Sequence, residues 1–456
     1  MLIAVALLAL APLAAADDWT AFRSGPFEVL TNAGDDPARD ALNTFDQLRF
    51  TLGLMLGKPE PGTMWPVRIV VYKPDRRQTK PPDGLRLVRD RYIAALSRGT
   101  QVTPRMLRDA VRLLLEANTQ RMPASVERGL EELFSTMKAN GNRVTLGTAP
   151  DNPGKDFARM HMLNVLAGNR GRVRVLYSNL QQAGDWDLAY TNAFGRKAIE
   201  MEAEVDRYLA ARQFIADEFG AKPVNPERDY RPRQVEPAIA RLAMADLLEA
   251  DAAQREYASI LNDFPGTPDA LEARGLFTEA TTAGSRSATA WAGLAAGLKE
   301  KAKSWDAWQR AAQINPRWGE PHFHLAALTG DPTKKMELLR KAGTIEPRQS
   351  RYWQALAEVA QEVKAFAEAA QAWRSAERAA STDEERERMV RAQAVYQERR
   401  AELEAEERRR EAEEKAREIA RLKDEGFAAV RAAEARANAQ MKPLDPSVKP
   451  VEWWEG

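Results

Sequence analysis

The stretch 353-WQALAEVAQEVKAFAEAAQAW-373 decides the reading of the second half of the chain. Trp353, Leu356 and Ala357 fall at helical spacing, and Phe366, Ala369 and Trp373 do so again after a short break. At intervals of 31 residues toward the N-terminus the same columns occur twice more. Trp353 is preceded by His322 and Trp291, Leu356 by Leu325 and Leu294, and Ala357 by Ala326 and Ala295. Trp308 and Leu339 keep the interval, as do Ala311 and Ala342, while Pro316 and Pro347 close successive units in the phrases I-N-P and I-E-P. Each unit reads as a helix pair whose apolar face only a neighbouring pair can cover. A further pair is expected around 236–265, ending Asp263-Phe264-Pro265, whereas 268–282 fits the pattern poorly.

These columns resemble the tetratricopeptide repeat, W-x2-L-G-x2-Y, then A-x3-F, then P, over about 34 residues. The matching positions are Trp291, Leu294, Ala295, Trp308, Pro316, Leu325, Ala326, Leu339, Pro347, Trp353, Leu356, Ala357, Ala369 and Trp373. Two units are three residues short, which predicts trimmed helices or a tight turn at Gly330-Asp331-Pro332. The resemblance implies an all-α solenoid over 236–381 that binds protein or peptide ligands, with its concave face as the expected surface.

Beyond it, 382–440 is a run of Glu, Arg, Lys and Ala that reads as one long charged helix with i,i+4 pairs such as Glu404–Arg408. Its apolar residues between Leu403 and Ile419 are too sparse for a continuous coiled-coil seam, although the helix offers a surface for self-association. A Pro/Trp tail, 441–456, carries Trp453-Trp454, suited to docking on the solenoid or on a partner.

Ahead of the repeats, residues 17–220 mix strands and helices. Phe27–Leu30, Val67–Tyr72, Tyr92–Leu96 and Arg143–Leu146 are expected strands, and 35–56 a helix with Leu42, Phe45, Leu48 and Leu52 near helical spacing. Residues 221–235, AKPVNPERDYRPRQV, read as a linker.

Within that domain, 104-PRMLRDAVRLLLEANTQRMPASVERGLEELFST-136 is a helical hairpin. It resembles the short gluzincin-like metallopeptidase domains of bacterial secreted proteins, in which H-E-x-x-H on one helix and N-E-G on the next hold zinc. Pro123, Gly129, Leu130, Glu132 and Phe134 match the second helix, and Ser125 stands where the family has tryptophan. The phrase 184-GDWDLAYTNAFGRKAIEMEAEVDRYL-209 resembles the end of such domains. Laid over the family, the ligand positions fall on Arg108, Arg112 and Arg128 and the base position on Asp109. A guanidinium stays protonated and has no lone pair to give a metal. The resemblance therefore implies an inactive zincin-like α+β domain with no metal, no cofactor and no catalytic residue. A hydrolase with an unconventional site would have to draw on Asp109, Glu127, Glu131 and Glu132, a poor set without metal, histidine or thiol. A structural spacer of the cell envelope is a third reading.

The three histidines give no substitute ligand set. His161 lies on an expected core helix, and His322 and His324, two apart, face away from each other. Arg105, Arg108 and Arg112 share a face on which they could bind a carboxylate, but Asp109, Glu116, Glu127 and Glu131 are at hand to neutralise them.

Composition sets the outer bounds. A net charge of +1, with both signs interspersed, argues against nucleic acid as a partner. There is no cysteine, which excludes disulfides and thiol chemistry. Residues 1–16 resemble a secretory signal peptide, an apolar run too short to span a bilayer followed by Ala14-Ala15-Ala16, although no basic residue precedes Arg23. Cleavage after Ala16 and a secreted or periplasmic location are the expectation.

Overall fold

The computed structural model describes residues 18–74, 81–183 and 185–441. The expected signal peptide and all but the first residue of the Pro/Trp tail lie outside these. The chain divides into two compact units, with the boundary between Met389 and Val390.

The first unit begins with β1 (Thr20–Ser24), β2 (Phe27–Thr31), α1 (Asp35–Leu56), β3 (Val67–Tyr72), β4 (Arg86–Val88) and β5 (Arg91–Ser97). These strands, joined by β9 (Arg233–Gln234), form a six-stranded sheet in the order β4-β5-β3-β2-β1-β9. Strands β2, β3 and β5 run parallel, and the outer pairs are antiparallel. The helices that follow are α2 (Pro104–Asn118), α3 (Ala124–Ser135), α4 (Lys155–Asn164), α5 (Arg170–Ala183), α6 (Trp186–Phe194) and α7 (Ala198–Ala211). A small antiparallel sheet of β6 (Lys138–Asn140), β7 (Arg143–Leu146) and β8 (Asp217–Phe219) completes the α+β domain, with a single turn, α8 (Pro226–Asp229), after it.

Strand alternation explains how the large sheet is covered. Val67, Ile69 and Val71 of β3 join one core with Leu42, Phe45 and Leu48 of α1 and the apolar faces of α2 to α5. Val70 and Tyr72 point the other way, with Leu30 and Ile93, onto Ala243 and Leu247. Those two belong to the helical repeats, so the second face of the sheet is covered by the solenoid. Burying each such large side chain is worth about 1.5–3 kcal/mol.

The segment expected to be a linker, 221–235, is instead part of the domain. Its β9 adds an edge strand beside β1. Tyr230 is buried and donates its hydroxyl to Asp46 Oδ2 at 2.9 Å, and Lys222 Nζ reaches the same oxygen at 2.8 Å. Gln47 exchanges bonds with the Lys222 backbone at 2.8 and 2.9 Å. Prolines and charges mark an extended chain, and here that chain is held at a sheet edge rather than left free.

The repeats are five helix pairs: α9 (Pro237–Ala245) with α10 (Ala250–Asp263), α11 (Pro268–Ala273) with α12 (Phe277–Thr282), α13 (Ala288–Gly297) with α14 (Lys301–Ile314), α15 (Glu320–Leu328) with α16 (Pro332–Ile345), and α17 (Ser350–Glu362) with α18 (Phe366–Ala379). The poorly fitting 268–282 is a pair of two six-residue helices. The short 31-residue period has a specific source. Each second helix from α14 onward has 14 residues, while the first helices α13 and α15 have 10 and 9 against 13 in α17. The missing turn is therefore taken from the first helix of the pair.

The turns between successive pairs dock on the α+β domain. Asp269, at the start of α11, pairs with Arg91 at 3.2 Å. Asn315 donates to the Met64 carbonyl at 3.0 Å, and Trp318 packs edge-on against Trp65 with 5.0 Å between centroids. Arg378 donates to the Gln181 and Gln182 carbonyls. At the first pair, Arg89 forms a fork with buried Asp246, both contacts 2.7 Å, and Tyr257 adds a hydroxyl bond at 2.8 Å.

In the second unit, the charged segment is helical to its described end. It continues α19 (Asp383–Gln440), whose side chains are exposed throughout 405–440. No helix among the described residues is long and apolar enough to cross a membrane.

Candidate functional site

Helix α2 starts cleanly, with Thr103 accepting from the Met106 N–H and Pro104 in the first turn. Its apolar stripe of Leu107, Val111, Leu114 and Leu115 is buried, which turns Arg108 and Arg112 toward solvent beside α3. Asp109 lies at the edge of that stripe and is itself buried.

Both oxygens of Asp109 are taken. Oδ1 accepts from Arg112 Nη2 at 2.6 Å, and Oδ2 accepts from the Leu85 N–H at 2.9 Å. The contact with the segment entering β4 is close enough to require glycine before it. Gly84 has φ +95°, and a Cβ there would lie 2.7 Å from Asp109 Oδ2. The carboxylate at the position aligned with the family's base thus ties α2 to the segment entering a sheet strand, each of its oxygens accepting a hydrogen bond from the fold.

The three arginines do not converge on a common point. Arg112 turns back to Asp109, three residues earlier. Arg128 donates to Asp156 on α4 at 2.9 Å, and Asp156 also receives Arg159, which continues to Glu202 on α7 at 2.8 Å. Arg108 is exposed, and its charge bears on Glu132. Two of the three arginines at ligand positions, Arg112 and Arg128, are therefore paired within the domain.

The other candidate carboxylates divide. Glu127 accepts from the Met122 N–H at 2.7 Å and from Arg348 at 2.8 Å, so it is structural. Burial and nearby carboxylates raise Glu131, against the opposing pull of Arg112. Burial and Asp156 raise Glu132, and its Oε2 is buried with no hydrogen-bond partner. Among the described residues no three His, Cys, Asp or Glu side chains are grouped so as to hold a metal ion.

His161 is fully buried in an aromatic cage of Phe157, Tyr208 and Phe214. Its Nε2 lies 3.0 Å from the Gly147 carbonyl and its Nδ1 2.9 Å from the Tyr208 hydroxyl. An imidazole that donates from Nε2 and accepts at Nδ1 satisfies both contacts in its neutral form, and burial pushes its pKa down. His324 stacks on Trp308 with 4.1 Å between centroids and meets Glu320 at 3.0 Å. His322 points elsewhere, buried, and is pushed down to about 4 by burial and by Lys341.

Sequence reading missed Arg348. Buried in the turn between α16 and α17, it donates from Nε to the Thr119 carbonyl at 2.9 Å, from Nη2 to Thr119 Oγ1 at 2.7 Å, and to Glu127. A signal existed, because Arg286, Arg317 and Arg348 recur at the 31-residue interval. Arg317 and Arg348 line a cleft of about 440 Å³ between α2 and the solenoid turns, with Glu116 and Arg121 on the opposite wall.

No protein-family model matches the chain, and no curated protein does. Among solved structures, the chain is similar to two crystal structures of MamA. One is 21% identical, over 28% of this chain and 82% of that one, and the other 20% identical, over 34% and 98%; both have a TM-score of 0.25. It is also similar to a thermophilic TPR protein of Thermus thermophilus, at 20% identity over 34% of this chain and 95% of that one, with a TM-score of 0.23.

Proposed function

We propose that this protein is a non-catalytic, extracytoplasmic adapter that binds proteins or peptides, built from a pseudo-metallopeptidase domain clamped to a tetratricopeptide solenoid. The observation that carries the reading is the state of Asp109. A general base needs a water held and aimed at it, whereas Asp109 is engaged through both oxygens in bonds that hold the fold together, one of them from the guanidinium of Arg112 at a ligand position. Arginine at the three ligand positions and the internal pairing of Arg112 and Arg128 support the same conclusion. Stacked helix pairs present extended faces suited to a polypeptide ligand, and the docking of their turns on the domain keeps those faces in a fixed arrangement.

Cross-linking mass spectrometry of the full chain in its native compartment tests this. The expectation is that cross-links to one partner cluster on α13 to α18. Turnover of a peptide library by the purified chain, with no partner cross-links, would favour the hydrolase instead. The spacer reading rests on the long exposed helix α19 and predicts no discrete partner at all.

A further inference from the structure

The column that holds Trp291 and Trp353 holds His322 in the middle repeat. Each tryptophan makes the same hydrogen bond. Trp291 donates Nε1 to the Ser285 carbonyl and Trp353 donates Nε1 to the Pro347 carbonyl, six residues back and 3.1 Å in both cases. Trp353 also rests on Gly343 of the preceding helix, where a Cβ would come within 2.7 Å of its ring. In the middle repeat the position equivalent to Gly343 is Ala312, and the carbonyl equivalent to that of Pro347 belongs to Pro316.

The exchange of indole for imidazole is only partly offset by this extra methyl. A groove of about 350 Å³ remains between α14 and α16, floored by His322 of α15 and lined by Trp305, Ala312, Pro316, Lys334 and Lys341. Two polar groups at this position lack a protein partner. His322 is 7% exposed and its Nδ1 has no hydrogen bond. The Pro316 carbonyl receives no donor from the described residues. The rim carries two exposed ammonium groups, Lys334 and Lys341, against one carboxylate, Glu337. Lys334 Nζ already lies 4.4 Å over the Trp305 ring, so the aromatic wall and the positive rim are one surface.

We propose that this groove takes a tryptophan side chain from an acidic segment of a partner protein. The incoming ring lies over His322 in the space that the smaller imidazole leaves open, its N–H directed to the Pro316 carbonyl, and flanking carboxylates meet Lys334 and Lys341. The proposal rests on the adapter reading and specifies one of its contact surfaces. An intramolecular tryptophan costs no association entropy, whereas a partner's does, so a single anchor of this kind gives modest affinity that the remaining interface must extend.

The experiment titrates the full chain with a fluorescein-labelled peptide of sequence Glu-Glu-Trp-Glu-Glu, blocked at its C-terminus, read by anisotropy. Saturable one-site binding is expected, with a Kd on the order of 100 µM. Exchanging the peptide's Trp for Ala weakens it by about tenfold or more. The double variant H322W/A312G restores the Trp–Gly pairing of the next repeat and closes the groove, and it loses binding to a similar extent. Lys334→Glu with Lys341→Glu changes only exposed side chains and serves as a second probe should the core variant fold poorly; it too abolishes binding. No saturable binding by the wild-type chain, or binding indifferent to the peptide's Trp, to groove filling and to the rim charges, overturns the proposal. If the peptide fails while cross-links to a partner still cluster on the solenoid, the groove is wrong and the adapter reading stands.

Discussion

Arg348, in the turn between the last two repeats, pairs with Glu127 of α3 at 2.8 Å and ties the solenoid to the hairpin in front of it. Both side chains are largely buried, at 8% and 15% exposure. Removing the arginine leaves Glu127 with only the Met122 N–H and strips the Thr119 carbonyl of its donor in a largely buried site. Arg348→Ala is expected to cost about 2–4 kcal/mol, in line with the loss of one partner of a buried pair. Arg348→Lys recovers less than half of that, since one ammonium cannot serve Thr119 and Glu127 as a planar fork does. Urea unfolding of the three proteins measures both, and a full rescue by lysine would show that charge alone matters there.

Asp109 and Gly84 form a second joint. Asp109→Ala removes the acceptor for the Leu85 N–H and the partner of Arg112, an expected loss of about 1–3 kcal/mol. Gly84→Ala places a Cβ against Asp109 Oδ2 in a backbone region that disfavours L-residues, and it should cost a similar amount. The sharper readout is amide exchange at Leu85. Protection lost in both variants fits a tether, and unchanged protection in Asp109→Ala would mean that the contact bears no load.

The buried histidines give the stability a pH dependence. His322 is held down to about 4 and His161 is lowered as well, so the unfolded chain binds more protons than the folded one between the unfolded value, about 6.5, and the folded values. Stability is therefore full above that unfolded value and falls as pH drops toward 4. Between pH 7 and pH 5, His322 alone contributes a loss of about 1–2 kcal/mol. His322→Phe removes that share, so its melting temperature should vary less with pH than that of the wild type. An identical pH profile for the two would place the titration elsewhere.

Truncation offers a test of the fold. A chain ending at 220 loses β9, the Tyr230 and Lys222 contacts to Asp46, and the cover over Leu30, Val70, Tyr72 and Ile93. It is expected to be insoluble or to bind hydrophobic dyes strongly, because one face of the sheet, apolar across its parallel central strands, is left bare. A soluble, cooperatively melting fragment would contradict the integration of the two halves.

Several of these features were legible in the residues and several were not, for physical reasons. Strands β2, β3, β5 and β7 carry β-branched or alternating runs, α1 a regular apolar stripe, and the helix pairs a strict 31-residue recurrence, so local pattern and tertiary burial agree. Strands β4, β6, β8 and β9 have only two or three residues each, and pairing with a neighbour, not their own composition, makes them strands. The same holds for 221–235, where prolines and charges look alike in a free linker and in a tethered edge. At the candidate site, the Arg112–Asp109 pair follows from helical spacing. The partner of Arg128, Asp156, lies on a helix 28 residues away, and the anchoring role of Arg348 arises only when two domains meet.

The central proposal is that the hairpin α2–α3, which resembles a peptidase's, carries no metal chemistry. Elemental mass spectrometry of the folded, full chain after dialysis against zinc addresses it directly, because a built site retains its ion through such treatment. Less than about a tenth of an equivalent of zinc per chain is the predicted result. One full equivalent, lost on mutation of His161, Glu131 or Glu132, would contradict the account.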